Sequence, residues 1–164
     1  MNQVAPFIIT RTFKASRALM FDLYSKPEHQ LPLLGPAGSK ATYSKMDFRV
    51  GGTHHYAMDS GGGQMWGLQT YKEIVPGRKI VLIQTFSDKD GGLTSHPMAP
   101  AWPKKMLATM ELEDAPDGQC KLTVTWLPMD SDEAGLATFD GARQGMQGGF
   151  GNQFDQIDAY LASL

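Results

Sequence analysis

The 164 residues carry fifteen basic and seventeen acidic side chains, a net charge of −2 at neutral pH, and 41% of them are hydrophobic. A chain of this size buries roughly 70% of the surface its unfolded form exposes, so it needs neither disulfide nor metal to hold a core, and one domain over 1–164 is expected. The charge balance supplies no basic field for nucleic acid or an anionic membrane, and no apolar run approaches the roughly 20 residues that span a bilayer.

Met1-Asn2-Gln3-Val4-Ala5-Pro6 lacks the basic region and apolar core of a secretory signal, so a soluble, cytoplasmic protein is expected. Phe7-Ile8-Ile9-Thr10-Arg11-Thr12-Phe13 is β-branched and aromatic and predicts the first strand. Ser16 is placed to cap a helix through Ala18 and Tyr24 that ends before Pro27. A second short helical turn is expected from Glu28 to Leu31, ahead of Pro32 and the Gly35-Pro36 break.

Strands are then predicted at 41–50, 53–59, 64–75, 79–87, 105–114 and 119–128. In the first of these, Asp47-Phe48-Arg49-Val50 alternates and runs into Gly51-Gly52, the pattern of a strand entering a tight reversal. Gly61-Gly62-Gly63, Pro76-Gly77 and Pro116-Asp117-Gly118 are turn chemistry between consecutive strands, so an antiparallel meander is expected. The stretch from Ser87 to Pro103 holds Gly91-Gly92, Pro97, Pro100 and Pro103, with Met98 and Trp102 among them. It reads either as a lid or binding loop or as an excursion whose Trp102 plugs one end of the core.

From Ser131 the period changes. Phe139, Met146, Phe150, Phe154, Ile157, Leu161 and Leu164 are separated by 7, 4, 4, 3, 4 and 3 residues, one face of a helix. Six of the eighteen glycines lie between 135 and 151, and each weakens a helix by about 1 kcal/mol relative to alanine. A broken first half and a continuous helix over about 146–163 are therefore expected.

Nucleophile elbows, phosphate loops, helically spaced metal histidines and Cys-x-x-Cys are absent; no metal or cofactor is expected. His54 and His55 are adjacent on a predicted strand and point to opposite faces. His29 and His96 sit in turn-rich segments. Asp88-Lys89-Asp90-Gly91 opens like a calcium loop, but the remaining ligands do not follow, and it reads as a polar turn. Cys120, the one cysteine, excludes an internal disulfide, is compatible with a reducing cytosol, and reads as a small core or edge residue. Arg49 and Glu73 are either polar contacts for a ligand or solvated strand residues.

The aromatic and methionine set is the stronger signal. Ten methionines are present, and methionine suits irregular or rearranging apolar surfaces. Met65 and Met110 belong to this set, and most of its members must build a core. The subset assigned to a cavity wall is Tyr56, Met58, Trp66, Phe86, Trp102, Met106, Trp126, Met146, Phe150 and Phe154.

The order of several motifs resembles the activator of heat-shock-protein-90 ATPase homologue family, in the START-like (SRPBCC, polyketide cyclase-like) superfamily. The carrying residues are Arg11-Thr12-Phe13-Lys14-Ala15-Ser16, the helix through Phe21, Gly35-Pro36, Asp47 to Gly52, Tyr71-Lys72-Glu73-Ile74-Val75-Pro76, and Gly149-Phe150 with Phe154, Ile157 and Leu161. Ser16 stands where family members usually have proline, and Leu33 and Leu34 where a tryptophan usually precedes Gly35-Pro36. The resemblance implies an α+β helix-grip fold. In it, a curved antiparallel sheet of six or seven strands wraps a long C-terminal helix, and two short helices follow the first strand. It also implies a cavity between sheet and helix, whose wall the departures reshape.

Three functions are compatible with this. The first is binding of a small apolar or amphipathic molecule in the cavity. The second is a cyclase- or hydrolase-type enzyme, for which Asp47, Arg49, His54, His55 and Glu73 are the scattered candidates. The third is a co-chaperone partner of a heat-shock ATPase, and a homodimer stays open. No catalytic motif is recognisable, and the binding reading is preferred.

Overall fold

Alternation of inward apolar and outward polar side chains builds most of this chain. The computed structural model describes residues 4–35, 38–59 and 61–164. Met1, Asn2 and Gln3 of the N-terminal stretch, and Pro36 of the Gly35-Pro36 break, lie outside the described residues.

Strand β1 (Phe7–Phe13) buries Phe7 and Phe13 while Ile8 faces out. Ser16 caps helix α1 (Arg17–Ser25) as expected: its Oγ accepts from the Leu19 N–H at 3.1 Å, and Met20 and Leu23 are the buried face. The chain continues through α2 (Pro27–Gln30) and a 3₁₀ turn at Leu31–Leu33. There follow β2 (Lys40–Met46), β3 (Thr53–Asp59), β4 (Gln64–Val75), β5 (Lys79–Ser87), β6 (Leu93–Thr94), β7 (Lys105–Ala115) and β8 (Gln119–Met129). They form one antiparallel sheet in the order β1-β8-β7-β5-β4-β3-β2. Register shifts between Ala41 and Tyr43 and between Tyr71 and Glu73 mark bulges, which bend a strand and strengthen its twist.

Two differences from the sequence reading bear on the sheet, beside shifts of one residue at other element ends. The strand predicted over 41–50 ends at Met46, because the Asp47 N–H bonds the Thr53 carbonyl and the Gly52 N–H bonds that of Arg49, each at 2.8 Å. The hexapeptide Asp47–Gly52 is thus the reversal itself, with Gly51 at φ +84°. Phe48 turns inward against Phe21 and Tyr71, while Val50 is 59% exposed. The second difference is β6. It pairs with Phe86 and Ser87 of β5, just beyond the point where β7 begins opposite Thr85.

Asp132 caps α3 (Glu133–Gly141) through the Gly135 N–H at 2.7 Å. The helix breaks at Ala142, and α4 runs from Arg143 to Ser163, starting three residues before the expected 146. Phe154 and Ile157 of α4 pack with Phe13, Leu122 and Val124 into the main core. Arg11 fastens the same helix from the outside through Asp155 and Asp158, at 2.7 and 3.1 Å. The α+β helix-grip arrangement expected from the sequence is the one observed. No helix among the described residues is long and apolar enough to cross a membrane.

Candidate functional site

The strand registers decide which side chains meet under α4. Tyr56 lies opposite Gly67, Gly67 opposite Phe86, Gln69 opposite Gln84, and Tyr71 opposite Leu82. Further along the sheet, Gln84 meets Met106, Leu82 meets Ala108, and Ala108 meets Trp126. Because side chains alternate across a strand, these residues share the concave face.

Between that face and the helix is a cavity of about 490 Å³. Met58, Met65, Ile80, Leu82, Phe86, Met110, Val124 and Trp126 form its sheet wall. Met146, Gly149, Phe150, Gln153, Phe154 and Ile157 form the helix wall, with Tyr24, Leu33 and Leu34 at one end. A Cβ built on Gly149 meets nothing within 4 Å, so open space adjoins the helix at that position. Phe150 anchors this wall, stacked on Phe7 at 5.7 Å and edge-on to Trp126 at 5.0 Å.

A short polar strip crosses the apolar wall. Gln69 Nε2 donates to Gln84 Oε1 at 2.9 Å, and Gln84 Nε2 donates to the Tyr56 hydroxyl at 2.8 Å and to the Thr85 carbonyl at 3.2 Å. Burial pushes the Tyr56 hydroxyl up to about 12, against the opposing pull of Gln84. Burial also raises Tyr71, whose hydroxyl has no hydrogen-bond partner among the described residues. Tyr24 is raised by burial as well. At neutral pH these phenols are therefore uncharged.

His54 lies beside this strip, fully buried, with Nε2 at 2.9 Å from Ser44 Oγ. Burial lowers it to about 4, with Gln69 pulling the other way and His55 adding a smaller downward push. His55 is on the opposite face, as the sequence predicted, against Tyr43 and Trp66. His96, from the segment between β5 and β7, borders the cavity with its ring 4.8 Å from that of Phe86. Its Nδ1 accepts the backbone N–H groups of Met98 and Ala99, which leaves the neutral ring's proton on Nε2.

Of the residues assigned to the wall, Tyr56, Met58, Phe86, Trp126, Met146, Phe150 and Phe154 come together around the cavity. Trp66 borders it as well, but its ring lies on the far face of the sheet with Tyr43 and His55. Met106 and Trp102 are elsewhere. Met106 faces inward but packs with Phe7, Phe139 and Met146, and Trp102 packs against Phe139, so α3 fills the space at that end. Trp102 therefore plugs the core, and the cavity-bordering residue of its segment is His96.

The polar candidates lie outside the cavity. Arg49 pairs with Asp47 at 2.7 Å and Glu73 with Lys79 at 3.3 Å, all four side chains at least one third exposed. Cys120 is a buried core thiol, raised by burial. Asp88 closes a turn, its Oδ1 accepting from the N–H groups of Asp90 and Gly92 at 2.8 Å.

Gln69, Gln84 and Tyr24 carry no site signal of their own in the sequence, and His96 stands there only as a histidine in a turn-rich segment. The available signal was parity: once Tyr71 is placed inward, Gln69 and Gly67 share its face.

The comparisons agree with this architecture. The chain is similar to a crystal structure of a protein from Mycobacterium smegmatis, at 23% identity and TM-score 0.74, over 94% of this chain and 88% of that one. A solution structure from Arthrobacter aurescens is similar at 24% identity and TM-score 0.77, over 97% and 87%. The crystal structure of the AHSA1 protein from Silicibacter pomeroyi is similar at 17% identity and TM-score 0.68, over 96% and 98%. At these identities the likeness shows the fold. No curated protein matches. A sequence model for the Activator of Hsp90 ATPase homolog 1-like protein family matches residues 14–162, nearly the whole chain, and the motifs it spans are those that now build the sheet, the reversal and the C-terminal helix. The chain belongs to that family.

Proposed function

We propose that this protein binds a small apolar or amphipathic molecule between its sheet and C-terminal helix. The observation that carries the reading is the cavity of about 490 Å³, walled mostly by aromatic, methionine and aliphatic side chains, crossed by a polar strip and bordered elsewhere by Gln30, Gln153 and His96. Ligand sites have this make-up: a mostly apolar wall of a few hundred Å³, with a few polar groups that fix orientation. A core meant only to be packed leaves few voids larger than a water molecule.

The cyclase- or hydrolase-type alternative requires a positioned acid and base. Among its candidates, Asp47, Arg49, His55 and Glu73 lie away from the cavity, and His54 is lowered to about 4 by burial. The heat-shock ATPase alternative draws its support from the family description.

Calorimetric titration with an apolar aromatic probe such as isopropylnaphthalene tests the binding reading. Saturable one-to-one heat, lost when Phe150→Trp narrows the cavity, supports it. Absence of saturable binding contradicts it and moves an assay of heat-shock ATPase stimulation to the front.

A further inference from the structure

The hydrogen bonds of the polar strip have a fixed direction. The Thr85 carbonyl can only accept, and it lies 3.2 Å from one end of the Gln84 amide. That end is therefore the NH₂ group, and its other proton goes to the Tyr56 oxygen at 2.8 Å. The Gln84 carbonyl is in turn occupied by Gln69 Nε2 at 2.9 Å. Gln84 has thus committed both protons and one acceptor position. Tyr56 accepts, so its own O–H proton is the group left over, and among the described residues it has no acceptor. Tyr56 is 8% exposed and borders the cavity, as does Tyr71, whose buried hydroxyl is unpartnered. The strip therefore ends in phenolic hydroxyl on a mostly apolar wall, whose other polar side chains include Gln30 and Gln153, both engaged with backbone carbonyls, and His96.

The lining also lacks permanently charged side chains, and His96 is its ionisable base. Among the described residues bordering the cavity there is no Asp, Glu, Lys or Arg. Arg11, which packs over the Phe154 ring, is paired with Asp155 and Asp158 on the outside of the helix. A buried carboxylate with no counter-charge is strongly disfavoured, and a pure hydrocarbon would leave the Tyr56 proton unmatched.

We propose that the cavity selects an uncharged molecule with an apolar body and one carbonyl-type oxygen, and that this oxygen accepts the hydrogen bond from Tyr56. The proposal rests on the binding reading above and names the ligand class for that site. Tyr56 is the specificity-determining residue. Gln84 is a positioning residue that holds the phenol by its oxygen and so directs the proton to the ligand.

The test compares three probes of similar size by calorimetric titration at pH 7: acetylnaphthalene, isopropylnaphthalene and naphthoate. The wild-type protein is expected to bind the ketone about 3- to 10-fold more tightly than the hydrocarbon. Naphthoate is expected to be weaker than the ketone by at least about tenfold. Tyr56→Phe should abolish the preference for the ketone, read as the ratio of the ketone and hydrocarbon affinities within the same variant. Naphthoate binding as tightly as the ketone overturns the proposal, and so does a ketone preference that survives in Tyr56→Phe. The wild-type ranking decides between these outcomes if the variant does not fold. If none of the three probes binds, the binding reading itself falls and the proposal with it; hydrocarbon binding without ketone preference overturns the proposal alone.

Discussion

Tyr56 lies flat across Gly67 of the neighbouring strand: a Cβ built at Gly67 would stand 2.5 Å from the phenol's Cζ and hydroxyl oxygen. The absence of a side chain at one position therefore sets where the polar group of another sits. Gly67 keeps the Tyr56 ring against the sheet, which places its hydroxyl within reach of Gln84 and leaves the cavity open above it.

Gly67→Ala is expected to lift the Tyr56 ring into the cavity and break its bond with Gln84. Overpacking of this kind costs about 1–3 kcal/mol. Urea unfolding should show that loss, and probe affinity in titration should fall with it. Unchanged values for both would mean the ring moves aside freely.

His54 makes stability depend on pH. Its folded value is about 4, below the ordinary 6.5, so the unfolded chain binds the extra proton first. Its contribution to stability is whole above pH 6.5 and is lost progressively as the pH falls from there towards 4. The full loss is on the order of 3 kcal/mol. Unfolding free energies of wild type and His54→Gln measured at both ends of this window should converge at the acidic end. Parallel pH profiles would remove His54 as the cause.

The glycines of α4 separate stability from capacity. Gly148 and Gly149 both have open space where a Cβ would be, but only Gly149 borders the cavity. Gly148→Ala should stabilise the fold by about 0.5–1 kcal/mol and leave probe binding as it was. Gly149→Leu should keep the fold and reduce binding, because its side chain enters the space the ligand needs. Thermal unfolding paired with probe titration distinguishes the two.

The ion pairs of Arg11 to Asp155 and Asp158 are partly exposed, with the arginine side chain 31% and the aspartates 71% and 49% accessible. Exposed pairs contribute about 0.2–1 kcal/mol and are screened by salt. Arg11→Leu is expected to cost no more than that at low salt, with the difference shrinking as salt is added. A larger loss would point to the packing of Arg11 over the Phe154 ring, 5.4 Å away.

Much of the fold was legible because its signals are local. Ser16 announces a cap, Pro76-Gly77 a turn, and the spacing from Phe139 to Leu164 a helical face. The reversal at Asp47–Gly52 was misread because Phe48 and Val50 alternate like strand residues. Its local bonds close the turn, and the long-range bonds between Gly51, Gly52 and Tyr71 that hold it against β4 have no signal in the hexapeptide itself. The site was less legible for the same reason. Gln69 and Gln84 are fifteen residues apart, and nothing in either neighbourhood shows that they meet; the β4–β5 register does. Trp102 and Met106 have the composition of a cavity wall, but whether an apolar residue lines a void depends on what stands opposite. Here Phe139 fills the space.

The most direct test of the central claim is native mass spectrometry of the purified protein, before and after addition of acetylnaphthalene. A discrete one-to-one mass increment is expected, from a co-purified molecule or from the probe, and Phe150→Trp should diminish it. A spectrum showing the bare chain under both conditions would contradict the claim.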